Sequence, residues 1–168
     1  MSDINEARAL RYLLDAMDDR LMIESAYDNK IYSQALFHAQ QLTEKSSKAC
    51  LAILRVMPKD DHHYSEMVRM FIIPNSKKFR DRFDEYLPLV VKLESQYIPT
   101  RYGVTTSGTV RIRKYDEQTV KKECNAAKDY LELCFSFVED KMSKQLPRSK
   151  AELEQVLVTE YKDNVKFF

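Results

Sequence analysis

The chain predicts an all-α fold, an up-and-down antiparallel bundle with a four-helix core, a long basic loop and an extra C-terminal helix. Three observations carry that prediction. Apolar residues recur at spacings of three and four through every long segment, the period of a helix with one face in a core. Only two glycines, Gly103 and Gly108, occur in 168 residues. Four prolines, Pro58, Pro74, Pro99 and Pro147, punctuate the periodic segments rather than interrupt them. A chain of this length buries a core without staples, and 44% apolar against 32% charged residues describes a soluble globular composition. The bulk charge of +1 gives no general affinity for polyanions, so any nucleic-acid contact has to come from a local patch.

The first helix is expected from about Asp3 to Tyr27, with Ile4, Ala7, Leu10, Leu14, Met17 and Leu21 as its apolar line. Asp28 and Asn29 favour a turn and end it. A second helix, about Ile31 to Met57, carries a stripe of mostly small residues, Ala35, Ala39, Leu42, Ser46, Ala49 and Ile53, which lets neighbours approach closely. Its opposite side mixes Phe37 and Leu51 with Gln40, Glu44 and Lys48, so the helix belongs in the middle of a bundle or at an oligomer interface. After Pro58, a cap at Asp60 or Asp61 opens a short helix that Pro74 and Asn75 interrupt. Ser76 then caps a stretch that Pro88 should kink or split and that Pro99 closes. Asp116 caps a long helix to about Lys144, with Val120, Cys124, Ala127, Leu131, Cys134, Val138 and Met142 inward. Pro147 stops it, and Ser149 with Glu152 reads as a capping box for a terminal helix to about Asp163. Cys124 and Cys134 stand about 15 Å apart on one straight helix, too far to bridge, so the three cysteines read as reduced core thiols. No apolar run approaches the ~20 residues of a membrane span, and the polar, acidic N-terminus is unlike a signal peptide; a cytoplasmic protein is expected.

Three segments in order resemble the HEPN domain family. "YSQALFHAQQLTEKSSKACLAIL" resembles the family's second helix, with Ala39, Gln40, Gln41, Glu44, Lys45 and Lys48 at its characteristic positions. The His62–His63 pair falls where the family has a histidine opening its third helix, and "QYIPTRY" resembles its Arg-Tyr-Pro signature, with Gly103 in place of the proline. The likeness runs over roughly residues 3–142, which suggests a bundle of residues 1–145 with residues 146–168 as a helical extension on the same domain. It implies a homodimer that binds nucleotide or RNA, or that partners a small nucleotidyltransferase, in a toxin-antitoxin-like or defence system; the alternatives are a metal-independent endoribonuclease and a structural helical homodimer without ligand. Many divergent members are metal-independent ribonucleases that use an arginine followed four to six residues later by a histidine. No histidine follows Arg101 here; His38, His62 and His63 all precede it.

The candidate ligand-binding residues are therefore Gln40, Glu44, Lys48, His62, His63, Arg101, Tyr102, Arg111 and Arg113, with Arg101 expected to face Glu44 across a polar cleft. Glu44 and Lys48, four apart, also make an ordinary helical ion pair. Arg55, His62 and Arg101 are the candidates for catalysis, since arginine stabilises phosphate charge and histidine moves protons near neutral pH. Arg55 and His62 have the ribonuclease spacing but span a helix junction. "DDHH" is read as capping and packing rather than a metal site, because consecutive side chains rarely converge on one ion. Neither a GxGxxG nor a Walker pattern occurs, so no cofactor is expected. Gly103 and Gly108 serve turns in a loop whose bases either contact phosphate or are simply solvated.

Overall fold

The computed structural model describes residues 3–57, 63–96 and 114–167, and every described element is helical. Seven α-helices are described: α1 Ile4–Asp28, α2 Tyr32–Ile53, α3 Tyr64–Met67, α4 Ile73–Asn75, α5 Arg80–Ser95, α6 Glu117–Met142 and α7 Lys150–Glu160. A π-helical turn, Val68–Ile72, joins α3 to α4, and 3-10 turns occur at Lys77–Phe79 and Lys162–Asn164. The chain belongs to the all-α class the periodicity predicted.

Helix α2 is the axis. It packs along α1 and α6 and also meets α3, the π turn and α5. Its small-residue stripe does what the spacing implied: Ala35, Ala39, Leu42, Ser46 and Ala49 are fully buried. Of the second apolar side read from sequence, Leu51 is buried within the chain and Phe37 is half-buried. The apolar face of α7 is covered within the chain too. Leu153 and Leu157 are buried, the helix lies on α1, and Tyr161 Oη donates to Glu6 Oε2 at 2.7 Å. The aromatic centre is an edge-to-face group, with Phe83 5.6 Å from Phe137 and 6.1 Å from Tyr130.

The end signals are met unevenly. Asp3 accepts from the Asn5 amide and Asp116 from the Thr119 amide, both as N-caps. Three long helices end in the left-handed conformation without a glycine. Lys30 (φ 59°), Arg55 (φ 62°) and Ser143 (φ 53°) occupy positions where a Cβ is unfavourable. The wrapping is complete after α1, where Lys30 donates to the Tyr27 carbonyl and Ile31 to that of Ala26. The same pair of bonds closes α2, which ends at Ile53 and not at Met57 as expected.

Other expectations need correction. Pro88 does not split its helix, because α5 runs through it from Arg80 to Ser95. Pro88 and Asp84 are both exposed, so the carbonyl that loses its donor is open to water. Ser76 and Ser149 sit at helix entries without making cap bonds; Ser76 Oγ donates back to the Ile73 carbonyl at 2.7 Å instead. Helix α3 begins at Tyr64, with Asp60 and Asp61 outside the described residues. On α1, Ile4 and Leu21 are exposed, while Ala9, Leu13, Ala16, Ile23 and Ala26 extend the buried face, because α2, α6 and α7 all pack against this helix. Cys50, Cys124 and Cys134 are free and buried, as the spacing implied.

Candidate functional site

Helix α2 carries a line of polar side chains into the bundle. Gln40 and Glu44, one turn apart, are buried, and Lys48 follows half-buried one turn later. Glu44 is bound at both oxygens: Gln40 Nε2 donates to Oε2 at 2.9 Å and Lys48 Nζ to Oε1 at 2.8 Å. Gln41 Nε2 in turn donates to Gln40 Oε1 at 2.7 Å, which fixes the orientation of the Gln40 amide. The ion pair expected from the i, i+4 spacing is therefore formed, but under cover, where charge is expensive to keep.

Helix α3 supplies the next wall. Tyr64 inserts its ring into the core, with its hydroxyl 2.8 Å from Thr43 Oγ1. Burial raises that phenol well above its ordinary value, and the nearby Glu44 and Glu94 charges add to the effect. One turn of α2 further on, Ser47 Oγ and Tyr130 Oη are also 2.8 Å apart. Below Tyr64, α5 reaches back: Glu94 accepts from the Ser65 amide at 2.7 Å and from Ser65 Oγ at 3.0 Å. This carboxylate from another helix caps the N-terminus of α3, which the sequence assigned to a local aspartate. His63, exposed, places Nδ1 3.6 Å from Glu94 Oε1.

Gln40, Glu44 and Lys48 line the side of α2 next to Tyr64, while His63 meets Glu94 of α5, with Tyr64, Ser65 and Glu94 as members the sequence did not single out. A glutamate four residues before "YIPTRY" carried no pattern of its own, and only the fold brings it to Ser65. His62, Arg101, Tyr102, Arg111 and Arg113 lie outside the described residues. Arg55 is placed elsewhere: it ends α2, is 73% exposed and gives Nη2 to Asp3 Oδ2 at 2.9 Å, tying the C-terminus of α2 to the first cap of the chain.

A second ionic node was also missed. Asp19 of α1, buried, has Oδ1 2.7 Å from His38 Nδ1 and accepts from Lys45 Nζ at 2.5 Å through Oδ2. His38 and Lys45 are seven residues apart on one face of α2, a spacing legible in the sequence, but the buried aspartate opposite them was not. Their mutual satisfaction locks α1 to α2. Among the described residues, no three His, Cys, Asp or Glu side chains come together as metal ligands. No helix of the described residues is long and apolar enough to cross a membrane.

Comparison with curated proteins and with solved structures returned no match. The family model of the HEPN domain matches residues 9–141, from the first turns of α1 almost to the end of α6, and so covers the α2, α3 and α5 seam. HEPN domains are associated with nucleotide- and RNA-related functions and commonly dimerise. The chain belongs to the HEPN domain family.

Proposed function

We propose that this HEPN protein is a homodimeric binding module for nucleotide or RNA, and that the ligand's phosphates are received at the seam of Gln40, Glu44, Lys48 and His63. The observation that carries the reading is the charged array of α2. Replacing a buried ion pair by apolar residues of similar volume is commonly neutral or stabilising. A stability role alone therefore does not explain an acid, an amide and an ammonium held in register at the bundle's centre. Lys48, half-buried, offers a phosphate a cation whose orientation Glu44 already fixes. Segment 97–113, whose Arg101, Tyr102, Arg111 and Arg113 are the proposed outer phosphate contacts, follows directly on the helix that carries Glu94.

The test is native purification of the full chain followed by mass spectrometry of what accompanies it, with titration of ATP, GTP and a short single-stranded RNA at low salt. The expected result is a bound nucleotide or oligonucleotide whose affinity falls steeply with salt. A nucleotidyltransferase found with a ligand-free HEPN dimer, together with no binding in the titrations, would replace this reading by an assembly role.

A further inference from the structure

Beside His63, the residues Val56 and Met57 separate two apolar bays in the surface. The first, about 300 Å³, is floored by Tyr12 and Ala52 and edged by Arg8 and Arg11 of α1. The second, about 230 Å³, lies between Met57 and the π turn, with Met67, Met70 and Phe71 in its wall. Met57 and Met70 are 68% and 65% exposed, so long, unbranched thioether side chains stand in water on either side of one depression. Such side chains repack around varied apolar partners, which suits a docking surface better than a core. The π turn sets this geometry. Pro74 cannot donate an amide, and the Ile73 amide reaches back five residues to the Val68 carbonyl, which turns Met70 outward while Ile72 stays buried.

The rim is basic. Arg8 contacts Asn5 Oδ1 at 3.5 Å and Met57 Sδ at 3.7 Å and makes no ion pair among the described residues. Arg11 is paired with Asp15, and Glu66 is the only acid among the described residues lining the two bays. We propose that the Met57 groove docks an amphipathic helical segment of a partner protein, with apolar side chains in the two bays and an acidic residue on Arg8. Two bays on either side of one ridge offer places for two apolar anchors of a helix, and a guanidinium without an ion pair among the described residues selects the sign of the charge beside them.

The probe is a synthetic helical peptide of about 16 residues, long enough to hold a helix, with leucines at i, i+3, i+4 and i+7 and glutamates between. A second peptide keeps the leucines and carries lysines. Binding is read by anisotropy of a labelled peptide and by methyl NMR of the seven methionines in the wild-type chain. The acidic peptide is expected to shift the Met57, Met67 and Met70 methyl signals and to bind at least about tenfold tighter than the lysine peptide. Met57→Glu, at an exposed position, is expected to weaken it by about tenfold or more with an unchanged circular dichroism spectrum, and Arg8→Glu to reverse the charge preference. Equal binding of both peptides, or shifts confined to other methionines, would overturn the proposal. So would Met57 and Met70 signals that move with protein concentration alone, because the groove would then be closed by a second copy. The wild-type NMR comparison decides the matter even where a variant fails to fold.

Discussion

Lys48→Met separates a buried charge from its partner while keeping a chain of similar length in the same space. Glu44 and Lys48 meet at 2.8 Å with side chains 9% and 17% exposed. Their attraction at an effective permittivity of about 20 is about 6 kcal/mol, and the desolvation of the two ions consumes most of it. The pair therefore adds little net stability, but losing the ammonium strands the carboxylate's desolvation cost. With the Gln40 hydrogen bond retained, Lys48→Met should destabilise the protein by about 3 kcal/mol. For a chain of this size that corresponds to a fall in Tm of roughly 6–12 °C. The double variant Glu44→Gln/Lys48→Met removes both charges and keeps an acceptor for the Gln40 amide. It should return to within about 1 kcal/mol of wild type, which makes the coupling energy at least about 2 kcal/mol, plus whatever Glu44→Gln costs alone. Urea denaturation of the wild type, both single variants and the double variant measures the cycle. Additive single effects, or a Lys48→Met variant as stable as wild type, would show that the pair behaves as a solvated surface contact and would refute this reasoning.

Lys30→Gly should raise stability by up to about 1 kcal/mol, because residue 30 is exposed and left-handed at φ 59° and glycine carries no Cβ penalty there; Lys30→Ala should not, and thermal melts compare them. Glu94→Ala should cost about 2–3 kcal/mol by removing both hydrogen bonds that hold Ser65 at the start of α3, and hydrogen exchange at the amides of residues 65–68 should accelerate with it. Burial pushes the Cys124 thiol up to about 12, with Lys128 opposing and Glu123 adding. Since the folded value lies above the unfolded one, this contribution is complete below about pH 8.5 and is lost as pH rises towards 12; the urea midpoint should decline over that window. Because all three are buried, the cysteines should react with a thiol reagent at pH 8 only after denaturation.

The helices were legible because each buries one face and the apolar spacing records that face. Ala35 to Ala49 on α2 and Val120 to Val138 on α6 are core in the fold as in the pattern. Helix ends were less legible. Asp3 and Asp116 advertise local caps, whereas the stops at Lys30, Arg55 and Ser143 use residues with no left-handed preference, and the cap of α3 comes from Glu94. A spacing rule also cannot tell a helix apolar on two sides at the centre of a bundle from one at an interface. Leu51 is buried by core helices, whereas Phe37 on the same side stays half-buried. Of the candidate site, the members on one helix could be read from periodicity and from the resemblance. Asp19 and Glu94 could not, since each meets its partners only through the packing of separate helices.

The Glu44→Gln/Lys48→Met variant, if folded as the cycle predicts, also tests the central claim. Its affinity for a labelled single-stranded RNA and for ATP should be measured beside wild type by anisotropy and calorimetry at two salt concentrations. A loss of about tenfold or more with a melting temperature within about 4 °C of wild type is expected, because the ammonium that receives the phosphate is gone while the bundle is intact. Undiminished binding by the variant, or no binding by the wild type at low salt, would contradict a phosphate site at the α2, α3 and α5 seam.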